Sequence, residues 1–396
     1  MGFCAGRLGR IDAFLREKYV EAGRIPCADF VLTQGGRQVH RVLLGHQDVG
    51  RGVRVAEDTV YRIYSMTKPV TCVALMTLVE EGRIALDDAV VTHIPEWAGL
   101  GVFCSGVDPF LTRPLARPMQ VVDLLRHTAG LTYGFQNRTN VDACYRKFRI
   151  ADPHGPDDLD AMIGRLAWLP LEFSPGEAWN YSVATDVAGY LVQKIAGCPL
   201  SVFLAERIFE PLGMIDTGFH VRADQRARFA ACYNWVAGGM ELQDDPETSA
   251  FRAPPRLESG GGGLVSTTAD YLRFLAMLLG GGVLDGVRIL GRRTLGLMVG
   301  NHLPGGRDLT ELSRSLFSES TNAGIGFGLG FATVFDAKRT LTACSDGEYF
   351  WGGAASTAFW VDPAEDITAV FMTQLLPSST YPIRRELRTM VYAALE

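Results

Sequence analysis

Strand-patterned segments sit near both ends of this chain, and the long middle reads mostly as helix. The runs Cys27–Thr33 and Val39–His46 flank Gly35-Gly36, a hairpin signature. Near the other end, Ser356–Val361 and Ile367–Gln374 are rich in β-branched and aromatic residues, with the turn-forming Asp362-Pro363-Ala364-Glu365 between them. Gly326–Val334 alternates glycine with apolar residues and reads as further strand. Between the two ends, Gln120–Arg126, Asp157–Trp168, Asp186–Ala196 and Leu200–Phe209 each fit a helix, divided by Pro, Gly and Asn clusters. Helices also fit 8–23, Thr268–Leu279 and Pro382–Leu395, the first with Leu8, Ile11, Phe14, Leu15 and Tyr19 on one face. The pattern predicts an α/β fold of the α+β kind, with an antiparallel sheet assembled from distant segments and flanked by helices, and an all-helical domain beside it. Residues 1–84 and 251–396 would form the sheet domain, and 85–250 the mainly helical one.

Composition narrows the function. At 396 residues the chain is long enough for two domains, and 47% hydrophobic with 21% charged residues is ordinary for a globular protein. A net charge of −6 and the lack of any basic run argue against a nucleic-acid partner, and an acidic membrane surface is an equally poor one. No apolar stretch approaches the roughly 18 residues of a membrane span. Met1-Gly2-Phe3-Cys4-Ala5-Gly6-Arg7 lacks the apolar core of a signal peptide, and Gly6 stands where a myristoylation motif needs Ser or Thr. A cytoplasmic location is therefore expected. The eight cysteines are scattered without a Cys-x-x-Cys pair, as free thiols in a reducing compartment would be. The seven histidines show no metal-ligand spacing, so neither metal nor cofactor is expected.

Ser65-Met66-Thr67-Lys68 falls where the short strand Val60–Tyr64 runs into a helix. Pro69 suits the first helical turn, where its missing N–H costs nothing, and Val70–Glu80 continue at helical spacing. Ser65 and Lys68 then lie one turn apart on one face, with a hydroxyl beside an amine at the positive end of the helix dipole. A serine can become nucleophilic this way without a histidine. Taken alone, the tetrad fits equally a helix start in which Ser65 caps and Lys68 is solvated. Other stretches keep it company. Tyr181-Ser182-Val183 follows the turn-rich loop Phe173–Asn180 and precedes a helix, a corner from which a phenol can reach into a cleft. Trp351-Gly352-Gly353-Ala354 precedes a late strand, and its glycines would let backbone come close to a ligand. Asp123–Leu131 joins a helix to a tight turn, with His127 at the helix end. Ser259-Gly260-Gly261-Gly262-Gly263 lacks the Gly-Lys-Ser/Thr of a phosphate loop and reads as backbone packed closely beside a pocket. There is no Gly-x-Ser-x-Gly elbow and no histidine with an obvious serine partner, which argues against an α/β-hydrolase.

Taken together and in order, Tyr64–Lys68, Leu124–Leu131, Phe173–Val183, Pro211–Met214, Ser259–Thr267 and Trp351–Gly353 resemble the serine β-lactamase-like superfamily over nearly the whole chain. Within it the chain most resembles the family VIII carboxylesterases, relatives of class C β-lactamases and DD-peptidases. The resemblance implies the β-lactamase/DD-peptidase fold, with the active site in a cleft between the two domains. It implies that Ser65 is the acylated nucleophile and that Tyr181 takes and returns the proton. Lys68 either holds Tyr181 toward its anionic form or is itself the base. The backbone N–H groups of Ser65 and Ala354 would form the oxyanion hole. Trp351, Gly352, Gly353, Tyr133, Phe135 and Val183 would bind substrate. Two departures stand out: Val183 replaces the Asn of class C β-lactamases, and Trp351 replaces the Lys that opens their third motif. Losing that Lys removes a cationic handle for a β-lactam carboxylate, whereas an aromatic side chain offers apolar contact to an ester. The expected activity is hydrolysis of small, short-chain carboxylic esters through an acyl-enzyme, without metal or cofactor. The alternatives are an acyltransferase, a D-amino-acid peptidase or a weak β-lactamase of the same fold. A non-catalytic ligand-binding or scaffold member is the rival from another class, and the intact Ser65, Lys68 and Tyr181 argue against it.

Overall fold

The two ends of the chain meet in one sheet in the computed structural model, which describes residues 2–314 and 322–396. Its antiparallel strands run in the spatial order Ile325–Phe327, Ala332–Val334, Tyr349–Gly352, Ala358–Asp362, Ile367–Met372, Cys27–Gln34, Arg37–Asp48 and Val53–Arg54. The join is between Cys27–Gln34 and Ile367–Met372, with Val31 opposite Val370. The amino-terminal hairpin turns through Gly35 and Gly36, both at positive φ (58° and 71°), a conformation that costs a residue without Cβ little.

Both faces of the sheet are covered, and the two-residue period of a strand sorts the side chains between them. Phe359, Val361, Val370 and Met372 join the main core with Tyr271 and Phe274 of the helix Thr268–Leu279. Their neighbours Ala358, Trp360, Ala369 and Phe371 join a second core with the helices Ala5–Phe14 and Ile383–Tyr392. Strands buried on both faces lose polar alternation, so these segments read as continuous apolar runs. The Thr267 side chain starts its helix by accepting the Asp270 N–H, an N-cap that satisfies an otherwise orphaned donor.

The helix Thr67–Glu80 is buried at every residue from Thr67 to Leu78, so it is a core element with no solvent face. It packs against Ala184–Ala196, which ends at Gly197 with φ 76°. Leu159–Leu166, capped by Asp158, and Leu200–Leu204 lie in the same middle region. This region also carries the hairpins Val102–Gly106/Phe110–Arg113 and Cys232–Val236/Gly239–Asp244, and the second of these pairs with Leu375–Leu376.

Because of these hairpins the middle region is not all helical, and three further sequence expectations change in detail. The amphipathic segment 8–23 is an α-helix only to Phe14 and continues as a π-helical turn over Leu15–Val20. Gly326–Val334 is a tight hairpin rather than one strand: Ile325–Phe327 folds back on Ala332–Val334. Its turn is seated on the core helix, where a Cβ on Gly330 would lie 2.7 Å from Cys72 Sγ. Val60–Tyr64 contracts to the strand Tyr61–Arg62, paired with Val265–Ser266. All eight cysteines are free. Among the described residues no single helix is long and apolar enough to cross a membrane.

Candidate active site

The strand Tyr61–Arg62 is anchored by a buried cation. Arg62 Nε donates to Asp244 at 2.7 Å and Nη1 to the Ala230 carbonyl at 2.6 Å, and the guanidinium stacks 3.9 Å from the Phe229 ring centroid. From this anchor the chain turns sharply. Tyr64 sits at φ 41°, an uncommon conformation for an aromatic residue, and Ser65 follows in a short 3-10 turn that leads into Thr67–Glu80. The turn leaves Ser65 partly exposed on a cavity while Lys68, one turn on, is buried.

Lys68 has three donors, and each meets an acceptor. Its Nζ donates to the Gly261 carbonyl at 2.6 Å, to the Tyr133 hydroxyl at 3.0 Å and to Ser65 Oγ at 3.4 Å. It also lies 4.4 Å from the centroid of the Tyr181 ring. The Tyr181 and Ser65 hydroxyls are hydrogen-bonded at 2.5 Å. The structure therefore brings Ser65, Lys68 and Tyr181 together from three separate elements.

The corner that carries Tyr181 is fixed by the stretch 127–136. Asn180 donates its N–H to the His127 carbonyl at 2.9 Å, and Val183 donates to Thr132 at 3.2 Å. Gln136 Nε2 donates to the Tyr181 carbonyl at 2.6 Å. Trp179 stacks on Tyr181, with Tyr133, Trp351 and His127 tilted around it at ring-centroid distances of 5.3, 5.6 and 5.1 Å. His127 is buried and turned by its own positive φ of 57° toward Ser182 Oγ, 3.3 Å from Nδ1. Burial, with the Lys68 charge adding to it, holds its imidazole well below the usual histidine range. It is thus a neutral ring packed behind Tyr181, and among the described residues it makes no hydrogen bond to Ser65.

Tyr133, expected only to line the pocket, is a direct partner of Lys68. Burial first, then the nearby Asp186 and Tyr181, push its phenol well above the usual range, so it stays protonated. Asp186 was missed. Sequence alone marks it as an acidic residue in the first turn of a helix, a placement the helix dipole explains without any site. Its burial is tertiary. It accepts hydrogen bonds from Ser259 Oγ and from the Gly261 N–H. Burial raises its carboxyl while Lys68, Ser259 and Gly261 pull it back down. The glycine run is therefore a packing device: a Cβ on Gly261 would lie 2.4 Å from Asp186 Oδ2 and 2.9 Å from the Tyr133 hydroxyl.

The cavity above these groups has a volume of about 900 Å³. Its walls include Tyr133, Phe135, Trp179, Trp351, Gly352 and Gly353, and Ala354 borders it together with Ser65. Phe135 is exposed at the mouth and stacks on Tyr133 at 4.8 Å. Val183 is a correction. It is wholly buried in the core at the cap of Ala184–Ala196 and does not face the cavity, because the corner that aims Tyr181 outward turns position 183 inward. The glycines also act differently from expectation. Both border the cavity, but a Cβ on Gly352 would meet Arg384, and one on Gly353 would meet Thr357 and Ile63. Their missing side chains make room for these neighbours while their backbone borders the cavity.

The profile of the Beta-lactamase family matches residues 14–393. The chain belongs to that family. Esterase EstB of Burkholderia gladioli is 30% identical over 98% of this chain and 95% of its own length. An uncharacterized protein of Mycobacterium tuberculosis is 37% identical over 92% of this chain and 90% of its own. Among solved structures, EstCE1, described as a hydrolase with promiscuous acyltransferase activity, superposes with a TM-score of 0.78 at 26% identity, covering 98% of both chains. This member of the Beta-lactamase family is accordingly an enzyme of the hydrolase or acyl-transfer type.

Proposed function

We propose that the protein is a serine carboxylesterase, close in kind to family VIII, that works through an acyl-enzyme on Ser65. The observation that carries this reading is the 2.5 Å hydrogen bond between the Tyr181 and Ser65 hydroxyls with Lys68 Nζ 3.4 Å from Ser65 Oγ. Ser65 Oγ attacks the ester carbonyl carbon while its proton passes to the Tyr181–Lys68 pair, which enters the step one proton short, as phenolate beside ammonium or as phenol beside neutral amine. The carbonyl electron pair moves onto oxygen, facing the Ser65 and Ala354 amides. Collapse re-forms the carbonyl and expels the alcohol, which takes the proton back. Water then repeats the sequence on the acyl-enzyme and releases the acid. Tyr181 and Lys68 both lie against Ser65 Oγ and against each other, so the base is the pair. Trp351 at the position of a cationic residue suits a neutral ester rather than a β-lactam carboxylate.

A second reading, acyl transfer to an alcohol, is favoured by one observation. A cavity of about 900 Å³ leaves most of its space free around a short acyl group, and a large acceptor could occupy it in place of water. EstCE1, which has promiscuous acyltransferase activity, is consistent with this. The first test is hydrolysis of p-nitrophenyl butyrate by the wild type and by Ser65→Ala, with a fluorophosphonate probe read by mass. Activity and label that both vanish with Ser65 support the reading. Equal activity in the two proteins would refute it.

A further inference from the structure

We propose that Arg384 is the positioning residue of the oxyanion hole, holding the Gly353–Ala354 peptide so that the Ala354 N–H faces the reacting carbonyl. This rests on the ester-hydrolysis reading above. Arg384 lies in the first turn of Ile383–Tyr392, a segment that sequence marks only as the last helix. Its Nη2 donates to the Gly353 carbonyl at 2.6 Å and to the Thr357 carbonyl at 2.9 Å. The Gly353 N–H is held in turn by the Thr357 carbonyl at 3.0 Å. Among the described residues the cis peptides are Asp108-Pro109 and Leu376-Pro377, so the 353–354 bond is trans. In a planar trans peptide the C=O and the N–H point in opposite directions. A carbonyl drawn to Arg384 on one side therefore turns the Ala354 amide to the other, toward the cavity that Ser65 borders. Among the described residues that amide donates to no protein acceptor, and Ala354 is exposed to the cleft.

The charge matters as well as the direction. A guanidinium-to-carbonyl hydrogen bond is about twice as strong as a neutral one, and it polarises the peptide so that its N–H becomes a better donor. The arrangement also explains both glycines of the third motif. A Cβ on Gly352 would lie 2.7 Å from Arg384 Cζ, so glycine keeps the berth of the guanidinium open. A Cβ on Gly353 would lie 2.4 Å from the Ile63 carbonyl oxygen, so glycine lets the peptide approach the turn that carries Ser65. Arg384 borders the same cavity but bonds to neither nucleophile nor base among the described residues, and as a positioning residue its effect would appear where negative charge develops on the carbonyl oxygen.

The test uses Arg384→Gln and Arg384→Lys in the full chain, with p-nitrophenyl butyrate kinetics, thermal unfolding and inhibition by phenylboronic acid. Serine converts the boronic acid to a tetrahedral anion that mimics the reaction intermediate. For Arg384→Gln the expected result is a kcat lower by about 10- to 100-fold with KM within about threefold, since a misaimed donor loses part of the 10²- to 10³-fold worth of an intact one. Boronate affinity should fall by the same factor as kcat. Arg384→Lys, which keeps a cation but not the fork, should lose about 3- to 10-fold in both, and it carries the test if Arg384→Gln does not fold. Unchanged kcat and boronate affinity in a folded variant would overturn the inference. So would a loss of kcat with full boronate affinity, which would mark Arg384 as merely structural. A wild type that neither turns over nor takes a fluorophosphonate label would sink the esterase reading and this inference with it. Wild-type turnover with unaffected Arg384 variants would sink the inference alone.

Discussion

Replacing Gly353 by alanine adds one methyl where the backbone leaves no room. It would sit 2.3 Å from Thr357 Oγ1 and 2.4 Å from the Ile63 carbonyl oxygen. Relief at ordinary contact distance requires a separation of about 1 Å, and neither neighbour is a flexible side-chain tip. Thr357 is wholly buried and bonded to the Gly353 N–H. The Ile63 carbonyl accepts the Met66 N–H at 3.0 Å and so closes the turn that presents Ser65. The added methyl must therefore push the third-motif strand away from Ser65 or distort the Ser65 turn. Either way the two oxyanion amides move apart. A displacement of this size at a reacting centre costs about 10²-fold, near 2.7 kcal/mol of transition-state stabilisation. We expect Gly353→Ala to lower kcat on p-nitrophenyl butyrate by about 10²-fold or more, with a modest change in KM. The check is steady-state kinetics alongside the melting temperature, to confirm that the variant remains folded. A folded Gly353→Ala with kcat within about threefold of wild type would refute the claim that close approach of this strand builds the oxyanion hole.

Other outcomes follow from the same site and core. Tyr181→Phe and Lys68→Ala should each reduce turnover by at least about 10³-fold, since the two act with Ser65 as one unit; near-normal rates in either would show that the base is misassigned. Val183→Asn restores the class C residue in sequence only. It would bury an amide in an apolar core at a cost of about 1–3 kcal/mol, so thermal unfolding should show destabilisation and nitrocefin hydrolysis should not rise. Asp29 is buried in the strand Cys27–Gln34 of the main sheet and its carboxyl is pushed up to about 6, chiefly by desolvation against hydrogen bonds from Thr268 and Tyr61 and the charge of Arg41. The folded state holds this proton more tightly than the unfolded chain does, so its contribution is full below about pH 4 and is lost as pH rises toward 6. Asp29→Asn should flatten that slope in urea-midpoint measurements, by at most about 3 kcal/mol across the window, and an unchanged slope would contradict the assignment.

Legibility divided along physical lines. The helix Thr268–Leu279 could be placed to the residue because its cap is local chemistry: Thr267 before it, Asp270 within it and glycine after it. The amino-terminal hairpin was equally plain, since Gly35-Gly36 is a short-range signal. The Gly326–Val334 hairpin was hidden. Its glycines serve a turn and a close approach to Cys72 rather than an extended strand, and alternation alone does not separate these. At the site, Ser65, Lys68 and Tyr181 were visible through the resemblance that the ordered stretches carry together, since each stretch alone has an ordinary reading. Asp186, Tyr133 as a lysine partner and Arg384 were not. A carboxylate, a phenol and a guanidinium on helices and loops have ordinary surface explanations until burial removes them.

The sequence by itself determined which elements form and which side chains carry reactive atoms, because caps, turns and periodicity act over a few residues. Only the tertiary structure decided what those atoms face. Lys68 finds its three acceptors on segments up to 193 positions away, and Ser65 and Tyr181 meet across 116. Val183 was turned into the core and Gly353 against Ile63 by packing around the same cleft. Burial and distance between remote segments set hydrogen bonding and charge at the site, and neither quantity is a property of a short stretch of chain.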